Sequence, residues 1–206
     1  MATKRRVGAE TSEKRGELLD CVERLMVTEG YAAVSYRAVA AGAGVTAGLV
    51  QYYFPTLDDL FLATIRRGTE RSRRRLTAAL RARPDEPLRV LWEYSRREPG
   101  AKLTTELLAL GNHRKSIASE IALASEGLRQ LQIEAITESA SAAHLGIDGL
   151  SPGALAYLVA GLPRLLHLEA SVGLTATHDA VVAFVESLLE RVEPPITSGV
   201  AARGKG

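Results

Sequence analysis

The sequence predicts an all-α protein. Apolar residues recur at helical spacing, as in Leu18, Val22 and Leu25 and in Ile117, Ile121, Ala124, Leu128, Leu131 and Ala135. No convincing alternating run occurs, and no Asn-Gly or Asp-Gly hairpin turn joins two such runs. Capping residues and breakers also fall where helices should begin and end.

The elements follow in order. Thr11 or Ser12 can cap a first helix, and Gly30 stops it as a left-handed C-cap. Ser35 caps a short helix, Tyr36 to Ala41, and Gly42-Ala43-Gly44 turns the chain. Thr46 caps a second short helix, Ala47 to Tyr53. Thr56, with Asp59 three residues on as a shorter relative of the capping box, opens a long helix to about Arg81 that ends before Pro84. Beyond it the periodicity predicts helices over 86–97, 101–112, 115–142, 152–172 and 178–192, the fourth opened by Ser151-Pro152 and kinked or broken at Pro163. Residues 1–11 and 194–206 read as a flexible basic arm and a flexible tail.

Composition narrows the function classes. The 206 residues are 46% apolar, enough to bury a sizeable core. Cys21 is the single cysteine, so an intramolecular disulfide is impossible and a thiolate metal site is not expected. His113, His144, His167 and His178 show no metal-ligand spacing, and no cofactor is expected. The opening Lys4-Arg5-Arg6 is followed by no apolar run, and no stretch of about 18 apolar residues occurs, so a cytoplasmic protein without a membrane span is expected. Residues 1–83 carry fifteen Lys/Arg against nine Asp/Glu, and residues 84–206 carry eleven against fifteen. A basic first part hints at a polyanion, although a solvated Arg-rich helix accounts for the charge equally well.

The segment 38–61 decides between these readings. Two short helices joined through glycines need close backbone approach, which is helix-turn-helix geometry. Val39, Ala40, Val45 and Val50 are placed to face the preceding helix, with Phe54 in the core. Thr46, Ala47, Gly48, Gln51 and Tyr52 then lie outward, and short residues there let the helix approach base edges. Tyr52 and Tyr53 can either hold phosphates or fill a core. Gly42-Ala43-Gly44 follows no strand and lacks a Gly-Lys-Ser/Thr ending, so it is no nucleotide loop.

Residues 13–61 resemble the DNA-binding domain of the TetR family of bacterial transcriptional regulators. The matching pieces are Glu29-Gly30-Tyr31, Val34-Ser35, Val39 to Thr46, Gly48 to Phe54, and Thr56 with Asp59-Leu60. The resemblance implies a three-helix DNA-reading head over 12–56, with its motif at about 35–54. It further implies a long fourth helix leading into an effector-binding and dimerisation domain over 57–193. By position, Ser35 and Arg37 meet the DNA backbone, Thr46, Ala47, Gly48 and Gln51 face the major groove, and Tyr52 and Tyr53 brace phosphates. Two positions depart from the pattern: Gln51 stands where the family usually has Tyr, and Leu57 where it usually has Lys.

In the second part, the helix 152–172 carries a broad Leu stripe and a smaller stripe of Ala156, Ala160, Pro163 and Ala170. By the resemblance, Ala156, Ala160, Val181, Phe184, Val185 and Leu188 pair with their counterparts in a homodimer. Trp92, Tyr94, Thr105, His113, Tyr157, His167 and Glu169, with Thr104 and Asn112, are candidates to line an effector pocket. Together these features predict a non-enzymatic dimer, most simply a repressor released from a palindromic double-stranded operator by a small, mostly apolar effector. An activator or co-repressed regulator of the same fold remains open, as does a helical carrier or enzyme without DNA binding.

Overall fold

The computed structural model describes residues 2–97, 100–139 and 150–193, with side chains from Glu13 onward. Among these residues there is no strand. The helices are α1 (Ala2–Glu29), α2 (Tyr36–Ala43), α3 (Ala47–Tyr53), α4 (Leu57–Ala82), α5 (Pro87–Arg96), α6 (Ala101–Gly111), α7 (Lys115–Glu138), α8 (Pro152–Ser171) and α9 (His178–Val192), with a 3-10 turn at Tyr31–Ala33. The expected tail 194–206, His144 and the end of the 115–142 helix lie outside the described residues.

The described chain divides into two compact units. The first comprises Met1–Ala78 and Arg97–Leu131, and the second Ala79–Arg96 and Gln132–Gly206. The core of the first unit is built from Leu18, Leu19, Val22 and Met26 of α1, Val39 and Ala40 of α2, Val50 and Phe54, and Leu60 and Phe61 of α4. Leu110 and Ile117 join the same core. In the second unit the buried apolar residues include Leu88, Leu91 and Trp92 of α5, Ile136 of α7, Leu155, Ala156, Val159 and Ala160 of α8, and Val185 and Leu189 of α9.

Local chemistry explains the boundaries, with three differences from expectation. First, α1 begins at Ala2, so Thr11 and Ser12 lie inside a helix rather than capping it. No proline interrupts residues 2–12, and their Ala, Lys, Arg and Glu favour helix. Second, Gly30 has φ 86° and ψ 164°, a positive-φ conformation with extended ψ rather than a left-handed helical cap. Only glycine adopts it without strain, and it turns the Tyr31 N–H toward Glu106 Oε2 at 2.9 Å. Third, α2 runs through Gly42 to Ala43, and Gly44 alone makes the left-handed turn at φ 66°. At Thr56 and Ser151 the caps fall as the residue types direct. Thr56 and Asp59 bond reciprocally, with Asp59 N–H to Thr56 Oγ1 at 3.1 Å and Thr56 N–H to Asp59 Oδ2 at 2.9 Å. Ser151 Oγ accepts from Ala154 N–H, and α8 continues unbroken through Pro163.

Gly42 serves close approach instead of turning. A Cβ there would lie 2.4 Å from Cys21 Sγ and 3.1 Å from Arg24 Nη2. Cys21 is 1% exposed, and its thiol points to Val39 O. Gly42→Ala should therefore destabilise the first unit by roughly 1–2 kcal/mol, because overpacking exceeds the helix-propensity gain of alanine. Thermal melts of G42A and of the C21A/G42A pair test this, since removing Sγ should recover most of the loss. Recovery of none of it would place the strain elsewhere.

Candidate nucleic-acid interface

The corner between α2 and α3 is set by caps at both helix starts. Ser35 Oγ accepts from Ala38 N–H at 3.2 Å, and Thr46 Oγ1 accepts from Leu49 N–H at 3.3 Å. Each hydroxyl keeps its own proton for an outside acceptor. Val45 N–H donates to Ala40 O at 2.9 Å and closes the turn.

With α3 so placed, Val50 and Phe54 are buried and Leu49 is half-buried. Thr46, Gly48, Gln51 and Tyr52 are exposed, Tyr52 at 77%. Gly48 has no atom but Thr46 Oγ1 within 4 Å of where a Cβ would stand, so this face is open. Ala47 differs in being half-buried, with its methyl against the core. Tyr53 also packs partly on the core, and its ring meets that of Tyr52 edge-on at 5.4 Å. Ser35 and Arg37 are exposed at the start of α2.

Sequence reasoning missed the residue that fixes the far end of this element. The Tyr36 hydroxyl donates toward Phe54 O at 3.0 Å and Pro55 O at 2.9 Å, tying the start of α2 to the end of α3. Burial, and after it the Asp59 carboxylate, raise the Tyr36 phenol above its usual pKa, so it stays a donor. A Tyr at the first helical position is an ordinary choice, and no local signal marks it. The first turn of α4 is held in the same unit. Asp58 accepts from Ser116 Oγ at 2.6 Å and pairs with Arg114. These two partners, Ser116 first, hold its carboxyl below the ordinary range.

The arrangement is a short helix capped at its start, buried along one side and open along the other, beside a second short helix. That is the geometry of a helix entering the major groove. Residues 18–64 match the family of bacterial regulatory proteins, tetR family. The head is that of a tetR-family regulator. Residues 18–64 accordingly form a DNA-binding domain of the tetR-family kind. No curated protein matches it.

Solved structures extend the likeness beyond the head. A protein of Rhodococcus sp. described as a TetR-family transcriptional regulator is 20% identical, with 87% of this chain and 99% of that one covered at a TM-score of 0.70. A TetR-family member from Streptomyces coelicolor is 27% identical, with 88% and 99% covered at a TM-score of 0.58. A transcriptional regulator from Saccharomonospora viridis, in complex with choline, is 21% identical, with 85% and 96% covered at a TM-score of 0.68.

Within this tetR-like head the departure at Leu57 has a packing reason: its side chain lies against the core of the first unit. Gln51 is exposed, which leaves its amide open to solvent. The effector candidates are distributed between units. Thr105 and His113 belong to the first. The Thr105 hydroxyl donates to Ala101 O, and His113 is exposed with its ring 6.4 Å from Tyr31. Thr104 is half-buried and Asn112 exposed in the same unit.

Trp92, Tyr94, Tyr157, His167 and Glu169 belong to the second unit. Trp92 is 2% exposed with Arg96 over its ring, and its Nε1–H is buried without an acceptor. Tyr94 is half-buried, whereas Tyr157 is exposed. His167 Nδ1–H donates to Pro163 O at 2.7 Å. Glu169, an odd carboxylate beside a Leu stripe, meets His178 Nε2 at 2.9 Å.

On α8 the buried face combines most of the smaller stripe with part of the Leu stripe, and Ala170 is exposed. Ala156, Ala160 and Pro163 are buried with Leu155 and Val159, while Leu158 and Leu165 are exposed. Small side chains let α8 lie close to α5, with which it shares its main contacts. Of the residues expected at a dimer interface, Val185 is also buried within the single chain. Val181 and Leu188 are half-buried, and Phe184 is exposed. No described helix is long and apolar enough to cross a membrane. Among the described residues no three His, Cys, Asp or Glu side chains are grouped to hold a metal ion.

Proposed function

We propose that the chain is a homodimeric repressor of a palindromic operator, released by a small, mostly apolar effector. The observation that carries this reading is the open face of α3, where Thr46, Gly48, Gln51 and Tyr52 are exposed while Val50 and Phe54 are buried. Gln51 reads a base, since an amide can pair bidentately with adenine. Tyr52, Tyr53, Ser35 and Arg37 hold phosphates and set register, with Ala47 and Gly48 clearing space for the groove floor. Two such heads read half-sites in successive major grooves.

The dimer forms through the apolar side chains that α8 and α9 leave exposed, Leu158, Leu165, Leu168 and Phe184, with Val181 and Leu188 at its edge. The effector enters the helical domain; one structural relative was solved in complex with a small molecule, choline. The unpaired Trp92 Nε1–H favours an effector carrying one hydrogen-bond acceptor on an otherwise apolar body. The α4 helix carries the signal. Its first turn is tied to Arg114 and Ser116 through Asp58, so a shift of that corner moves α4 against the reading helix. Release requires the effector to bind the DNA-incompetent state about 100-fold better, a coupling of roughly 2.7 kcal/mol.

The test is fluorescence anisotropy with duplexes taken from inverted repeats beside the coding region. Tyr53→Phe should weaken binding to every sequence by about 1 kcal/mol. Gln51→Ala should change which base is preferred at one position per half-site. Log affinity should fall linearly with log salt. A flat salt response with unchanged mutants would refute the DNA-reading assignment.

A further inference from the structure

The first unit contains a groove beside α3 that the DNA-reading role touches only at Tyr53. It lies between α1, the α3–α4 corner and α4, with a cavity volume of about 610 Å³. Its floor is apolar, formed by Phe54, Pro55, Leu62 and Ala63, and the Tyr53 ring stands at one side. Three guanidinium groups and one carboxylate complete the lining.

The charged groups are not equivalent. Arg66 is held bidentately by Glu120, and Arg67 by Glu23, Asp20 and Gly16 O. The Asp59 carboxylate accepts from the N–H and O–H of Thr56. Arg15 is different: it is exposed, its guanidinium lies over the Phe54 ring at 5.0 Å, and it makes no ion pair with a described residue. The groove therefore offers one cation, Arg15, with no ion pair among the described residues, above an apolar floor, while the charges of Arg66 and Arg67 are offset by Glu120, Glu23 and Asp20.

We propose that this groove binds an amphiphilic organic anion, a carboxylate on a compact apolar body, with Arg15 as the anion's partner. The guanidinium supplies a planar fork that matches a carboxylate. The floor removes apolar ligand surface from water, and the volume is that of a small-molecule site. A backbone phosphate would use Arg15 but not the floor, which is why the small amphiphile is favoured. The occupant would lie against Tyr53, so this is a ligand site in the DNA-reading head, separate from the effector site of the helical domain. It does not depend on the repressor reading, and no operator enters its test.

The experiment is isothermal titration of the full chain with 2-naphthoate, repeated with Arg15→Gln and with inorganic phosphate as ligand. Saturable binding of naphthoate is expected, weakened about tenfold or more in Arg15→Gln, with phosphate far weaker than naphthoate. Arg15 is exposed, so the variant should melt at the wild-type temperature. Naphthoate affinity unchanged in Arg15→Gln, or no saturation in the millimolar range, overturns the proposal. Phosphate binding as tightly as naphthoate overturns it too, because the groove would then be a seat for phosphate alone.

Discussion

Leu165→Glu combined with Phe184→Glu is expected to convert the protein to a stable monomer whose operator affinity falls by about 100-fold or more. In the single chain these side chains are 49% and 64% exposed. A charge placed there meets water as long as the chain stays alone, so folding of the monomer should be nearly unaffected. In a dimer the same charges would be buried unpaired on both subunits, a cost of several kcal/mol. The contrast separates an interface effect from a folding effect. A matched change at a buried position such as Val185, 5% exposed, should instead destabilise the chain itself. Light scattering and circular dichroism on the same samples supply the readout. A stable monomer of the unmodified protein at micromolar concentration would sink the dimer, and with it the loss of operator affinity expected here.

Which parts were legible in the sequence follows from how far apart the deciding atoms lie along the chain. The helix starts at Ser35, Thr46, Thr56 and Ser151 were readable because each cap bonds three residues away. The burial of Val39, Val50 and Phe54 was readable because an apolar period fixes a face. The inward face of α8 was not, because two apolar stripes compete there. The pattern left open which stripe faces inward, and packing on α5 buries Ala156 and Ala160 with Leu155 and Val159 while Leu158 and Leu165 stay exposed. The role of Gly42 was half-legible: close approach was expected, but its partner Cys21 lies 21 residues earlier and no spacing rule links them. Arg15, reaching Phe54 from α1, and Tyr36, reaching Pro55, are fixed only once α1 to α4 are packed.

The clearest illegible contact is also the one whose loss should cost the second unit most. Glu193 is 1% exposed, and its two carboxylate oxygens accept from Leu88 N–H and Arg89 N–H, each at 2.8 Å. These are donors in the first turn of α5, where Pro87 has no N–H and the local acid, Glu86, is turned toward Arg83 and Arg89 instead. A residue 105 positions away in sequence thus caps this helix, and Arg89 Nη2 returns a bond to Glu193 O at 2.8 Å. Glu193→Ala leaves two N–H groups without an acceptor, and should destabilise the protein by about 2–4 kcal/mol in a denaturant titration. The pH dependence carries an opposite sign to that of a surface ion pair. Burial raises the carboxyl above its usual value, outweighing the two N–H bonds and the Arg89 charge, which lower it. The folded state therefore holds the Glu193 proton more tightly than the unfolded chain. Its contribution to stability is complete below the unfolded value of 4.5 and declines as pH rises from there through the raised folded value. Glu193→Gln keeps one acceptor and cannot ionise, so it should lose less stability than Glu193→Ala at neutral pH and should flatten that decline. Equal pH slopes in wild type and Glu193→Gln would show that another group titrates in this window.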